Sequence, residues 1–144
     1  MKYAIRYQSR NGNTKAVADY MADKLNVNAK PISEALDEYA DMLFIGGGVY
    51  GWTIDKELKE LKEYLQNLDK NKIGCIVAFS TTGMQEFAIT HIKKHAEKAG
   101  IPVYESSFVL KLMMQGHALL KLEGGHLKDE QKRKIDEFMA DFTA

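Results

Sequence analysis

Strand-like and helix-like stretches alternate from one end of the 144-residue chain to the other. Residues 41–46 and 72–79 are predicted strands, and after their first, charged residue each is a continuous apolar run, which is typical of strands buried on both faces of a sheet. Residues 3–7 and 102–110 have the composition of further strands, and residues 27–32 that of a short edge strand, where proline is tolerated. Because strands that alternate with helices form parallel βαβ units, we predict an α/β protein with a three-layer, doubly wound fold.

Five helices are predicted between and after these strands, over residues 16–25, 33–39, 54–68, 85–99 and 128–142. The clearest is 54–68, where apolar residues recur at three- and four-residue steps between lysines and glutamates. The weakest is 33–39, which is only long enough for a short helix. Gly100 and Pro102 follow the fourth helix in the order expected at a helix end. Since no linker or repeat interrupts the alternation, we expect one domain over residues 1–144.

Charge and cysteine content limit the class of protein. Lysine plus arginine and aspartate plus glutamate both number 20, so the chain lacks the basic excess that nucleic-acid binding requires. No apolar run is long enough to span a bilayer, and because the sequence enters a strand almost at once we expect no signal peptide. A single cysteine cannot form an internal disulfide and fits a reducing compartment. We therefore expect a cytoplasmic protein with no nucleic-acid partner and no membrane association. We also expect a monomer, although neither charge nor cysteine content bears on the oligomeric state.

The first loop that suggests chemistry lies between the first strand and the first helix, and it consists of Ser9, Arg10, Asn11, Gly12, Asn13 and Thr14. Glycine lets the backbone approach an anion closely, the hydroxyls and amides donate hydrogen bonds, and the arginine is a candidate positive charge. The loop ends at a helix N-terminus, where unpaired N–H groups and the helix dipole favour negative charge. These features predict a phosphate site, although an ordinary capped helix start has the same composition.

The second loop follows the third strand and includes Gly48, Val49, Tyr50, Gly51 and Trp52. Residues 46–51 formally match G-x-G-x-x-G, but a dinucleotide-binding motif follows the first strand and is completed by an acidic residue at the end of the next strand. Here the nearest acidic candidate, Asp69, precedes the next strand. We therefore interpret the loop as a carrier of two large rings, which either stack on a flat aromatic ligand or, for one of them, fold back onto the helix below.

The third loop is another small polar turn before a helix, and it consists of Ser80, Thr81, Thr82, Gly83 and Met84. Its amides and hydroxyls can line the edge of a heteroaromatic ring, and a capped helix start is again the alternative. All three loops follow strands, and doubly wound sheets bind ligands beyond the carboxyl ends of their strands. The coincidence of three such loops at one edge is a stronger signal than any one of them.

With these loops in place, the whole chain resembles the flavodoxin family, whose five-stranded parallel sheet has the order 2-1-3-4-5. The family's phosphate loop reads T/S-x-T-G-x-T, and the chain matches it at Ser9, Gly12 and Thr14, with Asn11 in place of a threonine. The second loop is similar to the family's aromatic flavin-flanking loop. The third loop stands where the family has its other flavin loop.

The resemblance implies that FMN is bound non-covalently, with its phosphate in the first loop and its ring between the other two. The protein would then shuttle one or two electrons between redox partner proteins, a reductase and an acceptor, while the cofactor supplies the chemistry. No catalytic acid, base or nucleophile is needed for that role. The resemblance also implies that Gly51 lies beside the flavin and turns its peptide with the redox state of the ring, which glycine tolerates at little cost.

Two other functions remain open from the sequence. One is an NAD(P)H-dependent FMN or quinone reductase, which a neutral flavin rim would favour, since residues 46–53 carry no carboxylate. The other is a flavodoxin-like activator that docks on one dedicated enzyme, such as a ribonucleotide reductase subunit. An enzyme would oxidise NAD(P)H without a partner, whereas a carrier would be inert alone.

Four side chains outside the loops are given structural roles. His91 and His95 lie one helical turn apart, and we expect them on a solvated helix face because no third metal ligand accompanies them. Cys75 lies in the middle of a buried strand and is expected to be a core thiol. Arg6 lies in the first strand, which such folds usually keep apolar on both faces, and we expect one end of that strand to be partly exposed.

Overall fold

The structure is a computed structural model, and it describes residues 1–8, 12–47, 54–81, 87–110 and 127–143. Among these residues are five strands: β1 (Tyr3–Tyr7), β2 (Ala29–Pro31), β3 (Ala40–Gly47), β4 (Ile73–Ser80) and β5 (Phe108–Val109). The same residues contain four α-helices: α1 (Asn13–Leu25), α2 (Ile54–Gln66), α3 (Phe87–Lys98) and α4 (Asp129–Thr143). A short 3-10 helix, Lys70–Lys72, precedes β4. This alternation confirms the predicted α/β class.

The five strands form one parallel sheet in the order β2-β1-β3-β4-β5, as predicted. Ile5 of β1 pairs with Phe44 of β3, which pairs in turn with Val77 of β4. Neighbouring side chains on a strand point to opposite faces of the sheet. The cluster that contains these three residues packs with α1 and α4, whereas Leu43 and Ile45 pack with α2 and α3. The sheet is therefore the middle of three layers.

The connection from β2 to β3 contains no helix, so the helix predicted over 33–39 is wrong. The Arg6 side chain is only 5% exposed, and its guanidinium donates hydrogen bonds to the carbonyl oxygens of Glu34 at 3.0 Å and Ala35 at 2.9 Å. Carbonyl groups that a helix would have paired internally are thus paired by a strand side chain. One end of β1 is partly exposed, as expected, but it is the N-terminal end at Tyr3 and Ala4, whereas Arg6 itself is buried.

The predicted strand 102–110 is interrupted. The chain pairs with β4 at Val103, opposite Ile76, and again at Phe108, opposite Phe79. Three residue steps along β4 therefore correspond to five along its neighbour, so the chain loops out between the two contacts. Glu105 and Ser106, in the segment that loops out, are exposed, and Phe108 returns the chain to the core.

The remaining helices agree with the predictions, with small shifts at their ends. Helix α1 begins at Asn13 instead of residue 16, because Gly12 takes the left-handed conformation, with φ of 94°, and leads the chain into the first turn. The last helix, α4, buries Ile135 and Met139. Within the described residues, none of the helices combines the length and the apolar character that crossing a membrane requires.

Candidate ligand site at the carboxyl edge of the sheet

The carboxyl ends of β1, β3 and β4 are joined by backbone hydrogen bonds that continue the sheet. The Gln8 N–H donates to the Gly46 carbonyl at 2.9 Å, and the Thr81 N–H donates to the Gly47 carbonyl at 3.4 Å. Parallel strands bring their carboxyl ends to the same edge. The three predicted ligand loops therefore leave from neighbouring points on one rigid frame.

The N-terminus of α1 lies beside this edge. Gly12 occupies the capping position, and its carbonyl accepts a hydrogen bond from the Ala16 N–H at 2.9 Å, which closes the first turn. Asn13 and Thr14 in that turn are buried, and the turn contains no acidic residue. A helix N-terminus carries partial positive charge from its aligned peptide dipoles. This end of α1 is thus electrostatically suited to an anion.

A buried hydrogen bond joins the start of α1 to the end of β4. The hydroxyl oxygens of Thr14 and Thr81 are 2.7 Å apart, although the two residues are 67 positions apart in the sequence. That distance is the usual one for an O–H···O hydrogen bond. The first and third predicted ligand loops are therefore in direct contact through their side chains.

A second side-chain contact ties β1 to α2 at the same edge. The Gln8 amide nitrogen donates to the Glu60 carboxylate at 3.1 Å. Sequence reasoning assigned no role to either residue. The position of Gln8 directly after an apolar strand could have suggested a role for it. No motif around Glu60, 52 residues further along the chain, identifies it as the partner.

The end of β3 passes close to both helices on this face. A Cβ added to Gly47 would lie 3.4 Å from the Leu61 side chain on α2 and 3.6 Å from the Ala88 side chain on α3. These are ordinary van der Waals distances, so the two helices pack directly against the backbone here. The second predicted ligand loop consequently starts from a point fixed between α2 and α3.

The predicted ligand residues fall into two groups. Gly12, Asn13, Thr14, Ser80 and Thr81 are described, and the structure brings them to the same edge of the sheet through the start of α1 and the end of β4. The others lie outside the described residues, and their roles stay predictions: Ser9, Arg10, Asn11, Gly48, Val49, Tyr50, Gly51, Trp52, Thr82, Gly83 and Met84.

The histidine pair on α3 differs from its prediction. The rings of His91 and His95 are 4.5 Å apart, edge to face. His95 is 5% exposed, so the predicted solvated face is wrong for this residue. Its Nδ1 atom has no hydrogen-bond partner among the described residues. Burial, together with His91 and nearby lysines, lowers the pKa of His95 below its ordinary 6.5.

The cysteine shows no sign of an activated thiol. Cys75 is half-buried on β4, and burial raises the pKa of its thiol above the ordinary 9.0. A raised pKa keeps the thiol protonated, but the predicted core position is wrong, since Cys75 is only half-buried and belongs to neither core cluster. Within the part of the chain that the structure describes, histidine, cysteine and carboxylate side chains form no group of three that could hold a metal ion.

Comparison with known proteins gives one family and several similar folds. The family model described as "Flavodoxin domain" matches residues 4–139. No curated protein sequence matches the chain. Among solved structures, oxidised flavodoxin 2 from Bacillus cereus is 20% identical, with a TM-score of 0.70 over 99% of this chain and 97% of that one. A flavodoxin from the domain Archaea is 17% identical, with a TM-score of 0.65 over 99% and 96%.

A third similar structure contains a ligand. The Fusobacterium nucleatum flavodoxin bound to flavin mononucleotide is 13% identical, with a TM-score of 0.65 over 99% of this chain and 97% of that one. At identities of this size, the likeness to solved structures concerns the fold.

Proposed function

The chain belongs to the flavodoxin domain family, and on this premise we propose that it binds FMN and transfers electrons between redox partner proteins. The observation that carries the proposal is the 2.7 Å contact between Thr14 and Thr81. It brings the predicted phosphate loop and a predicted ring loop together at the edge where doubly wound folds bind their ligands. FMN would supply the redox chemistry, and the protein would bind and orient it.

The start of α1 has the chemistry that the FMN phosphate needs. Gly12 leaves the backbone open to a close approach, and the first turn adds no carboxylate that would repel a dianion. Thr14 contributes a hydroxyl group in a buried position, where a hydrogen bond to a charged group is strong. The loop residues Ser9, Arg10 and Asn11 remain the predicted neighbours of the phosphate.

The ring of FMN would lie between the second and third loops. Ser80 and Thr81 begin the third loop, and Gly47 leads into the second from its fixed position between α2 and α3. Tyr50 and Trp52 are the predicted aromatic neighbours of the ring, and Gly51 is the predicted contact whose peptide follows the redox state.

Electron transfer requires docking partners, a reductase and an acceptor, which remain unidentified. The 20 basic and 20 acidic side chains balance, so the protein has no net charge to attract one class of partner over long distances. We expect docking that depends only weakly on salt. We further propose that the protein acts as a monomer in the cytoplasm.

A titration of the apoprotein with FMN tests the proposal. We expect one FMN per chain, with a yellow complex and quenched flavin fluorescence. The complex should not oxidise NAD(P)H by itself but should accept electrons when a flavodoxin reductase is added. A colourless protein that is indifferent to FMN would exclude cofactor binding, and steady NAD(P)H oxidation by the complex alone would indicate an enzyme.

A further inference from the structure

The two buried hydroxyl groups of Thr14 and Thr81 connect the halves of the proposed site. Thr14 is 0% exposed and Thr81 is 8% exposed, and their oxygens are 2.7 Å apart. Thr14 belongs to the predicted phosphate loop, and Thr81 belongs to a predicted ring loop. Because both side chains are buried, water cannot readily replace either partner in this hydrogen bond. The direction in which each hydroxyl group donates its hydrogen therefore affects what else the pair can bind.

A hydroxyl group has one hydrogen to donate, and this limits what the pair can do. Within the bond one threonine donates and the other accepts, and the geometry allows either direction. A phosphate dianion offers only acceptors. If Thr14 bonds to a phosphate, it must give its own hydrogen to it and must then accept the hydrogen of Thr81.

We propose that Thr81 is a positioning residue for the FMN phosphate and that it acts through Thr14. This inference rests on the proposed function. Phosphate binding fixes the direction of the bond, so that Thr81 donates to Thr14 and Thr14 donates to the phosphate. A residue of the ring loop thereby helps the protein to distinguish FMN from riboflavin, the same flavin without the phosphate.

We call the two successive hydrogen bonds, from Thr81 to Thr14 and from Thr14 to the phosphate, the relay. The loss of FMN preference expected on removing Thr81 depends on the charge of the group at which the relay ends. A hydrogen bond that ends on a charged group is about twice as strong as one between neutral groups, and a donor behind it polarises it further. Without the Thr81 hydroxyl, the Thr14 oxygen loses the hydrogen bond that polarises its own bond to the phosphate. We expect the ratio of the riboflavin and FMN dissociation constants to fall about five- to tenfold, which corresponds to roughly 1–1.4 kcal/mol.

Flavin fluorescence titrations with FMN and with riboflavin test the relay. Thr81→Val removes the hydroxyl and keeps the shape, whereas Thr81→Ser keeps the hydroxyl. Thr14→Val and the double variant complete a cycle that isolates the coupling between the two residues. Thr143→Val, at the end of α4, is a threonine control away from the site. Thermal unfolding of each apoprotein verifies the fold.

We expect Thr81→Val to reduce the preference for FMN over riboflavin. Thr81→Ser should keep that preference within twofold of the parent protein. Adding Thr81→Val to Thr14→Val should reduce the preference no further. The relay is refuted if the parent binds FMN tightly and Thr81→Val keeps its preference within twofold, or if the two substitutions act additively. If the parent itself does not bind FMN, both the proposed function and the relay fail, so the two failures are distinguishable.

Discussion

Arg6→Met is the substitution that should most clearly expose how the β2–β3 connection is held. The guanidinium donates to the carbonyls of Glu34 and Ala35, which are the ones a helix would otherwise have paired. A hydrogen bond from a charged donor contributes about 1.5–3 kcal/mol, and water recovers part of that at partly buried carbonyls. Methionine keeps the packing of the arginine stem. We therefore expect the free energy of unfolding to fall by about 2–4 kcal/mol.

Urea unfolding measures the total loss, and amide hydrogen exchange locates it. The Ile32 N–H donates to the Tyr7 carbonyl at 2.8 Å, and the Glu34 N–H donates to the Pro31 carbonyl at 3.0 Å. Both bonds belong to the connection, so these amides should exchange faster in the variant under conditions where the rest of the sheet stays protected. The Val27 amide, bonded to α1, serves as a reference outside the connection.

Arg6→Lys is the matched control for charge. Lysine keeps the positive charge but cannot present the planar fork that reaches two carbonyls at once, so it should recover only part of the lost stability. A decrease below about 0.5 kcal/mol for Arg6→Met would refute the assigned role, because surface substitutions commonly fall in that range. Unchanged exchange at the connection's amides would refute it as well.

Three further predictions concern packing and protonation. Gly46→Ala should destabilise the protein by about 1–3 kcal/mol in urea unfolding, since the new Cβ would lie 2.1 Å from the buried Phe79 ring, whereas Gly47→Ala, with contacts at 3.4 Å or more, should change stability little. The Tyr64 hydroxyl is buried without a partner among the described residues, so Tyr64→Phe should leave the unfolding free energy unchanged or raise it by up to about 1 kcal/mol, and a large loss would reveal a missing partner. His95 has a lowered pKa, so the unfolded chain takes up this proton at a higher pH than the folded chain, and stability should fall as the pH drops below about 6.5; His95→Gln should reduce this fall in unfolding curves at pH 7.5 and 5.5.

The order of the elements was predictable because each signal lies within one short stretch of sequence. The apolar runs of β3 and β4 and the leucine spacing of α2 each identify an element without knowledge of the rest of the chain. The errors arise where residues distant in the sequence determine the local structure. The 33–39 stretch forms no helix, and Arg6 of β1 pairs its carbonyl groups instead. The interruption of the predicted strand 102–110 depends on where Phe108 meets Phe79.

In the candidate site, too, the residues were predictable from short stretches of sequence, whereas the contacts between distant residues were not. Thr14 and Thr81 were predicted from the composition of their own loops, but their mutual contact requires the sheet order to bring α1 and β4 together. Gln8 and Glu60 were missed because neither has a motif. The burial of His95 was missed for a related reason, since lysines surround it in sequence while α3 packs against α2 in the fold.

The polar face of β1 links the helix-free connection to the candidate site. Arg6 and Gln8 lie two residues apart, so they point to the same face of the sheet, towards α2. The Gln8 amide bonds to Glu60, and the Arg6 charge opposes the burial that raises the pKa of Tyr64 to about 12. Glu60 and Tyr64 lie one turn apart on α2, so Arg6 in β1 and Gln8 directly after it interact with successive turns of the helix. Because α2 directly follows the second predicted ligand loop, the contact between Gln8 and Glu60 also helps to fix the helix into which that loop leads.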